Sequence, residues 1–421
     1  MNLLLKHVKL NLEAHKLHIT GSKSETNRLL LLKALYPNIT IENASNSDDS
    51  EVMAKALKNV VSTSSQSIPE IDVHHAGTAM RFLTAFFAIK NNTEVLLTGS
   101  SRMKERPIKI LVDALKQLGS LISYEQIEGF PPIRIQGKKI TKNKVSLAAN
   151  VSSQYISALL LIGPKLENGI ELTLNGQITS LPYIKMTLAL LNEIGAETSF
   201  VDNIITVKPA AEVTDQAILT IESDWSSASY WYSIIALSTV GVSVTLSSYK
   251  KNSRQGDSVL AEIYENFGVQ TIFNVNNTIT ISKINNVSVA NQTIDLIHAP
   301  DIAQTIAVTC FGLKVACNLT GLHTLKIKET DRLEALKTEL LKLGANIETT
   351  NNSLHLRTSD IINQNCTIAT YQDHRMAMAF APLALKVPLI IQNSEVVSKS
   401  YPTFFTDLQL VGFQISEQLE H

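Results

Sequence analysis

Glu334-Ala335-Leu336-Lys337-Thr338-Glu339-Leu340-Leu341-Lys342-Leu343-Gly344, followed by Ala345-Asn346-Ile347-Glu348, a polar Asn351-Asn352 and Leu354-His355-Leu356, decides the fold. Its first half is apolar at helical spacing. Gly344 stands where a helix is closed by a left-handed residue. Two short strands joined by a polar turn complete it. The same order recurs in Leu111 to Ile135, Met186 to Val207 and Ser258 to Ile281, with Gly119, Gly195 and Gly268 in the closing place.

A second family of segments alternates with the first. Each begins with small polar or charged residues and runs into an apolar helix. The starts are Ser22-Lys23-Ser24, Ala76-Gly77-Thr78, Ser152-Ser153-Gln154, Asp224-Trp225-Ser226, Pro300-Asp301 and Asp373-His374-Arg375. Most starts lie roughly 70 to 76 residues apart, the mark of a repeated supersecondary unit. The interval from Lys23 to Gly77 is shorter, so the first unit reads as trimmed. Six units predict two domains of three, each unit with two helices and about four strands, in the α/β class. A boundary is expected near Asp224, and a first strand, Leu3 to Leu10, is expected to pair with the other domain. A solenoid is the structural alternative, but solenoid repeats are normally shorter. Equivalent helix starts that face one cleft would offer free N–H groups to anions.

Composition limits the functions available. The chain has 421 residues, 44% hydrophobic and 18% charged, which fits a globular protein of two cores. A formal net charge of −1 argues against a nucleic-acid partner, so any phosphate site must be a local cluster of Lys and Arg. The opening Met1-Asn2-Leu3-Leu4-Leu5-Lys6-His7 is too short an apolar run for a secretory signal, and no run reaches membrane-spanning length. Three cysteines, Cys310, Cys317 and Cys366, match no zinc spacing and read as buried thiols in a reducing compartment, so the cytoplasm is expected.

Several motifs carry chemistry. Gly21-Ser22-Lys23-Ser24-Glu25-Thr26-Asn27-Arg28 gathers cations and hydroxyls within about one helical turn, although it lacks the earlier glycine of a nucleotide loop. His74-His75-Ala76-Gly77-Thr78-Ala79-Met80-Arg81 places a glycine where a ligand could approach the backbone. Its two histidines read as opposite faces of a strand, without a third metal ligand. Arg102-Met103-Lys104-Glu105-Arg106-Pro107 sets three cations before a helix with Pro107 in its first turn. Ser152-Ser153-Gln154 and Ser180-Leu181-Pro182-Tyr183 offer hydroxyl and amide donors, or ordinary helix caps. Asp301 is either a cap or, near a substrate hydroxyl, a general base. Lys328-Glu329-Thr330-Asp331-Arg332-Leu333 reads alone as an exposed ion-pair helix. Tyr371-Gln372-Asp373-His374-Arg375 opens another apolar helix, and Lys399 precedes Tyr401-Pro402.

In this order the motifs resemble the EPSP synthases, the 3-phosphoshikimate 1-carboxyvinyltransferases of the enolpyruvyl transferase family, from residue 19 to 405. The resemblance implies a two-domain fold of six βαβαββ units with an active-site cleft between domains. One domain spans residues 20–223, the other 1–19 with 224–421. It implies transfer of the enolpyruvyl group of phosphoenolpyruvate to the 5-hydroxyl of shikimate 3-phosphate, with no metal or organic cofactor and a monomer as the working form. By the same resemblance, Lys23, Ser24, Arg28, Ser152, Ser153, Gln154, Ser180, Tyr183, Asp301 and Lys328 hold shikimate 3-phosphate. Lys23, Gly77, Arg106, Gln154, Arg332, Arg375 and Lys399 hold phosphoenolpyruvate. Asp301 and Glu329 move protons, with Lys23 a sharer. The chain departs from the family at His75, Phe82 and Thr324, where Asn, Pro and Asn are common; the first two bear on phosphoenolpyruvate contacts and glyphosate response. Two other readings compete. A UDP-N-acetylglucosamine enolpyruvyl transferase usually carries a reactive cysteine in its first domain, yet none precedes Cys310 here. A non-catalytic sugar-phosphate binder would keep the cations without needing both Asp301 and Glu329.

Overall fold

The computed structural model describes residues 1–7, 16–58, 68–176, 178, 181–210, 217–287 and 291–418. The chain divides into two compact units, Ser22–Ile221 and Met1–Gly21 with Glu222–His421. Each has its own apolar core.

In the Ser22–Ile221 unit, Glu70–Asp72 pairs in parallel with Thr93–Thr98, which pairs antiparallel with Ile133–Gly137, itself the hairpin partner of Leu121–Tyr124. The sheet of Lys144–Ala148, Ile170–Asn175, Ile204–Val207 and Thr198–Val201 repeats that order and those directions. So does the sheet of Asn291–Asp295, Ala316–Thr320, Leu354–Arg357 and Asn346–Thr349 in the other unit. Each parallel step requires a helical crossover, and each antiparallel step follows a short turn, so one repeat reads βαβαββ.

The remaining repeats are completed by distant strands. Cys366–Ile368 and Leu389–Ile391 need a hairpin partner for Phe413–Gln418. The N-terminal strand Asn2–His7 takes that place, with Leu3 opposite Ile391 and Glu417. Near the boundary between the units two leading strands trade places. Lys16–Leu17 runs into the Lys23–Leu35 helix yet pairs with Ser243–Leu246. Ala217–Thr220 runs into the Trp225–Leu237 helix yet pairs with Ile39–Glu42. The Ile39–Glu42 sheet has two strands among the described residues, in the repeat that the sequence spacing reads as trimmed.

The first helix of each repeat fills the core. Every residue of Trp225–Leu237 is buried, and Gly77–Ile89 exposes almost nothing. Helices apolar on all sides must be surrounded by protein. Lys23–Leu35, Gly77–Ile89 and Ser153–Ile162 pack on one another in one unit, as do Trp225–Leu237, Ala303–Leu313 and His374–Phe380 in the other. The second helices, such as Lys109–Leu118 and Arg332–Lys342, keep an exposed face.

Three local expectations are corrected. The third copy of the opening pattern is not one helix: a single α turn, Leu260–Ile263, lies between 3₁₀ turns at Gly256–Val259 and Tyr264–Phe267, in a run rich in weak helix formers. His74 and His75 lie in a turn after Glu70–Asp72 rather than on a strand, with His74 left-handed at φ 49°. Cys310 and Cys317 are buried, but Cys366 is partly exposed.

The closing glycines are all left-handed, yet they differ in surroundings. Gly119 has φ 104° with open space where a side chain would go, whereas a Cβ on Gly268 would lie 2.0 Å from the Asn285 carbonyl oxygen. Gly119→Ala should therefore cost about 1 kcal/mol of stability from backbone strain alone. Gly268→Ala should cost more, because a backbone carbonyl must move. Urea unfolding of the two variants checks the order; equal losses would contradict it.

Candidate active site

The three packed helices of the Ser22–Ile221 unit start at the same end. Arg28, six residues into its helix, lies over the ring of Phe82, six residues into the next, and donates to Ser157, five into the third. Arg28 is almost wholly buried. Its Nε donates to Thr187 Oγ1 at 2.8 Å, Nη1 to the Ser24 carbonyl at 2.7 Å, and Nη2 to Ser157 Oγ at 2.9 Å and the Tyr183 carbonyl at 3.5 Å. Burial lowers its pKa to about 10, so it stays charged at neutral pH. A guanidinium has five N–H groups, and four are engaged within the protein. Arg28 thus ties Ser24 to Tyr183 and keeps one Nη1 proton for anything else.

Lys23 is the first residue of its helix, and its Nζ lies 3.2 Å from Asp49 Oδ2. Gln154 Nε2 donates to Thr78 Oγ1 at 3.0 Å, joining two helix starts, while Ser152 caps the Gln154 amide at 3.4 Å. Ser153 is buried beside them. Ser180 lies outside the described residues. The three cations of the Arg102–Pro107 stretch do not simply precede a helix. Ser101–Lys104 is a short helix of its own, and the next begins at Lys109, beyond Pro107. Arg106 comes to Gly77: a Cβ on that glycine would lie 2.8 Å from Arg106 Nη1 and 3.0 Å from Nη2. Arg81, given no role by sequence, makes this geometry. Its Nη1 donates to the Gly77 carbonyl at 3.1 Å and its Nη2 to the Pro107 carbonyl at 3.0 Å. Burial, with the nearby Arg106 charge, lowers the Arg81 pKa to about 10.

In the other unit the second residues of three helical segments, Trp225–Leu237, Pro300–Ile302 and His374–Phe380, meet. Arg375 Nη2 donates to Ser226 Oγ at 3.2 Å and lies 3.5 Å from Asp301 Oδ2, while Nη1 donates to the Asp301 carbonyl at 3.1 Å. Asp301 Oδ1 lies 2.8 Å from Arg332 Nη1 and 3.4 Å from Lys328 Nζ. One carboxylate thereby bridges three cations. Arg332, 2% exposed, is held by three carboxylates: Asp373 through Nε at 2.6 Å, Asp301 through Nη1, and Glu329 through Nη2 at 2.8 Å. Burial would lower the Arg332 pKa, but Asp373, Glu329 and Asp301 outweigh it and raise it instead. The exposed ion-pair helix read from the Lys328–Leu333 motif is replaced by this buried cluster. The helix starts at Arg332 with Asp331 as its cap, and Lys328 and Glu329 precede it. Lys399 Nζ donates to the Gln372 carbonyl at 2.7 Å, beside Asp373. Tyr371 and Gln372 are both left-handed there, at φ 53° and 58°. Thr324 Oγ1 is buried without a hydrogen-bond partner.

Sequence reasoning missed Asp49, Arg81 and Asp373 as partners of the expected site residues. Arg81 carried a signal: a charge inside Ala79-Met80-Arg81-Phe82-Leu83 cannot be buried without acceptors. Asp373 was visible only as a helix cap, which it also is. Asp49 gave no distinguishing sign. No group of three metal-ligating side chains occurs among the described residues, and no described helix is long and apolar enough to cross a membrane.

The profile of one family, EPSP synthase (3-phosphoshikimate 1-carboxyvinyltransferase), matches residues 11–408. The chain belongs to the EPSP synthase family. A 3-phosphoshikimate 1-carboxyvinyltransferase of Bacteroides fragilis (strain YCH46) is 46% identical over 95% of each chain. One of Haemophilus influenzae (strain PittEE) is 35% identical over 94% of this chain and 96% of its own. Among solved structures, an EPSP synthase from Acinetobacter baumannii superposes with a TM-score of 0.79 at 19% identity, covering 99% of this chain and all of its own. The enolpyruvyl transferase NikO from Streptomyces tendae gives 0.73 at 13% identity, covering 100% and 99%. At such identities the structures speak for the fold alone, the enolpyruvyl transferase fold.

For an EPSP synthase, the Arg106–Gly77 contact makes a sharp test. Gly77→Ala would not meet rigid backbone; the new methyl would push the Arg106 guanidinium aside. The KM for phosphoenolpyruvate should rise several-fold while that for shikimate 3-phosphate changes little, in steady-state assays with the other substrate saturating. Equal rises would mean that Gly77 serves the fold rather than the site.

Proposed function

We infer that the chain is a 3-phosphoshikimate 1-carboxyvinyltransferase. It transfers the enolpyruvyl group of phosphoenolpyruvate to the 5-hydroxyl of shikimate 3-phosphate, releasing phosphate, in the shikimate pathway. Family membership carries that activity. The assignment of residues to steps is our proposal, and the grip of Glu329 and Asp301 on Arg332 supports it.

Two anionic substrates must be brought together, so their repulsion has to be offset by fixed cations. We assign shikimate 3-phosphate to Lys23, Ser24, Ser152, Ser153, Gln154, Ser180, Tyr183, Asp301 and Lys328, with Arg28 ordering Ser24 and Tyr183 and lending its remaining N–H. Phosphoenolpyruvate falls to Lys23, Gly77, Arg106, Gln154, Arg332, Arg375 and Lys399. Lys23, Lys328, Arg332 and Arg375 each pair with a protein carboxylate. Binding an anion is thus an exchange. When the carboxylate of phosphoenolpyruvate takes a donor of Arg332, Glu329 gives up that ion pair, takes up a proton from water and can then pass it to C3.

The steps then follow. The 5-hydroxyl oxygen attacks C2 of phosphoenolpyruvate, giving its proton to Asp301, while C3 takes a proton from Glu329 or Lys23. The tetrahedral intermediate breaks its C2–O bond to phosphate, and C3 returns a proton as the enol ether forms. Proton transfer by positioned side chains contributes about 10²- to 10⁴-fold in rate. We also propose a cytoplasmic monomer; the three free thiols fit a reducing compartment.

Phosphate release from phosphoenolpyruvate should require shikimate 3-phosphate, and UDP-N-acetylglucosamine should not replace it. Glu329→Gln should lower kcat by about 10²- to 10⁴-fold with little change in substrate affinity, and solvent deuterium should enter C3 more slowly. Parental turnover and exchange in that variant would reduce Glu329 to an ion-pair partner of Arg332. Asp301→Asn should also lower kcat by that order. Because it removes a bridge between Lys328, Arg332 and Arg375, it should raise the KM for shikimate 3-phosphate as well.

No thiol takes part in this scheme. Burial raises the Cys310 pKa well above the ordinary value, and Cys366 Sγ lies 3.4 Å from the Lys342 carbonyl rather than against an assigned site residue. Replacing all three cysteines with Ser or Ala should leave kcat nearly unchanged. Lost turnover in a folded, substrate-binding variant would revive the cysteine-dependent alternative.

A further inference from the structure

Asp257 is buried beside the site and has no part in the scheme above. Its Oδ2 accepts the Ser226 hydroxyl, and Ser226 Oγ in turn accepts Arg375 Nη2 at 3.2 Å. The segment is fixed there by Gln255. Its Oε1 accepts the Trp225 amide at 2.9 Å, and its Nε2 donates to the Ser223 carbonyl at 3.0 Å. The 255–257 turn is thus buttoned onto the start of the Trp225–Leu237 helix, with Asp257 against Ser226.

A hydroxyl has one proton and two lone pairs. Whether Ser226 presents a lone pair or its proton to Arg375 depends on where that proton goes. An ionised Asp257 can only accept, so it draws the Ser226 proton to itself and leaves a lone pair facing the guanidinium. We propose that Asp257 is a positioning residue for phosphoenolpyruvate: acting through Ser226, it fixes the direction of the hydrogen-bond chain that holds Arg375 in its binding orientation. The inference rests on the assignment of Arg375 to phosphoenolpyruvate.

A neutral or apolar residue would serve the fold at least as well. Burial, with Asp301 nearby, raises the Asp257 carboxyl to about 7, while Arg375 and Ser226 draw it down and Asp224 adds to the rise. A carboxyl whose folded-state pKa is raised lowers stability once pH exceeds its ordinary value. An acid kept in such a place, one hydroxyl away from an assigned ligand, is better explained by the site than by folding.

The test is a mutant cycle in steady-state assays with shikimate 3-phosphate saturating. Asp257→Asn keeps the shape but can donate as well as accept, so the chain loses its fixed direction. Its KM for phosphoenolpyruvate should rise about three- to tenfold, with kcat within about twofold of the parent. Ser226→Ala, a small change in case the first variant folds poorly, should act similarly. Since both act through one hydroxyl, the double variant should be no worse than the poorer single variant. The melting temperature of Asp257→Asn at pH 8 should not fall, whereas loss of a merely structural contact would lower it. In the parent the KM should also climb as pH falls through about 7, where Asp257 becomes neutral, and Asp257→Asn should lack that climb. An unchanged KM, additive effects, or the same pH profile in the variant would overturn the proposal. So would a lowered KM, which simple removal of a negative charge near an anion gives. Arg375→Lys separates the two levels. If it leaves the KM for phosphoenolpyruvate at the parental value, the assignment of Arg375 itself fails. If it raises the KM while Asp257→Asn does not, only the role of Asp257 fails.

Discussion

The buried guanidinium of Arg332 is the point on which the second unit's site depends. A cation taken out of water demands compensation, and here Asp373, Asp301 and Glu329 supply it from three separate parts of the chain. Those contacts locate the start of the Arg332–Lys342 helix, the Pro300–Ile302 turn and the start of the His374–Phe380 helix relative to one another. Removing Arg332 would leave the buried Asp373 carboxylate without its guanidinium, and breaking a buried pair commonly costs about 3–5 kcal/mol. The cluster therefore has little freedom to rearrange unless another anion enters.

The repeat explains why such clusters arise at helix starts. Each βαβαββ unit sends a largely buried helix through the core, so its charged side chains gather mainly at the ends, while small hydroxyls such as Thr84, Ser233 and Thr309 are buried along it. Three such helices packed side by side bring their starts together, as Arg28, Phe82 and Ser157 demonstrate in one unit and Ser226, Asp301 and Arg375 in the other. The polar ends must then satisfy one another, since an unpaired buried donor or charge is costly. Gln154 on Thr78, Gln255 on the Trp225 amide and Asp373 on the Arg375 amide are local answers to that demand.

Much of this was legible in the sequence because it follows from spacing. The recurring glycines, the polar starts before apolar helices and the shortened first repeat all have local causes. The parts that were not legible are pairings between distant residues. Nothing in the Lys16–Leu17 dipeptide says that it will lie beside Ser243–Leu246 while Ala217–Thr220 takes the place next to Ile39–Glu42. The N-terminal strand ends in the middle of a sheet made from residues 366–418. Site residues divide in the same way. Lys23, Gly77, Arg106, Asp301, Glu329, Arg332 and Arg375 stand in motifs that can be read. Their fixed partners Asp49, Arg81 and Asp373 act across gaps of roughly 4 to 40 residues; Asp49 and Asp373 look like any cap or surface charge, while Arg81 stands out within its apolar run but does not name its partners. The Lys328–Leu333 stretch misled for a related reason. Its i,i+3 and i,i+4 charges fit an exposed helix, and only tertiary packing buries Arg332 at the first position of the helix, with Lys328 and Glu329 before it.

The two units share a fold plan but not an electrostatic one. Near the helix starts of the Ser22–Ile221 unit stand Lys23, Arg28 and Arg81, with Arg106 in the turn before Lys109–Leu118 and Asp49 the carboxylate paired to Lys23. Arg28 and Arg81 are stabilised mainly by carbonyls, hydroxyls and aromatic faces, which accept hydrogen bonds without cancelling charge. At the corresponding starts of the other unit, Lys328, Arg332 and Arg375 meet Asp301, Glu329 and Asp373, with Asp257 one hydroxyl further on. The first arrangement keeps positive potential available to phosphate groups. The second nearly neutralises itself and surrounds its cations with groups that can hold protons. The same repeated plan underlies both units, and the charged residues near their helix starts make the two different.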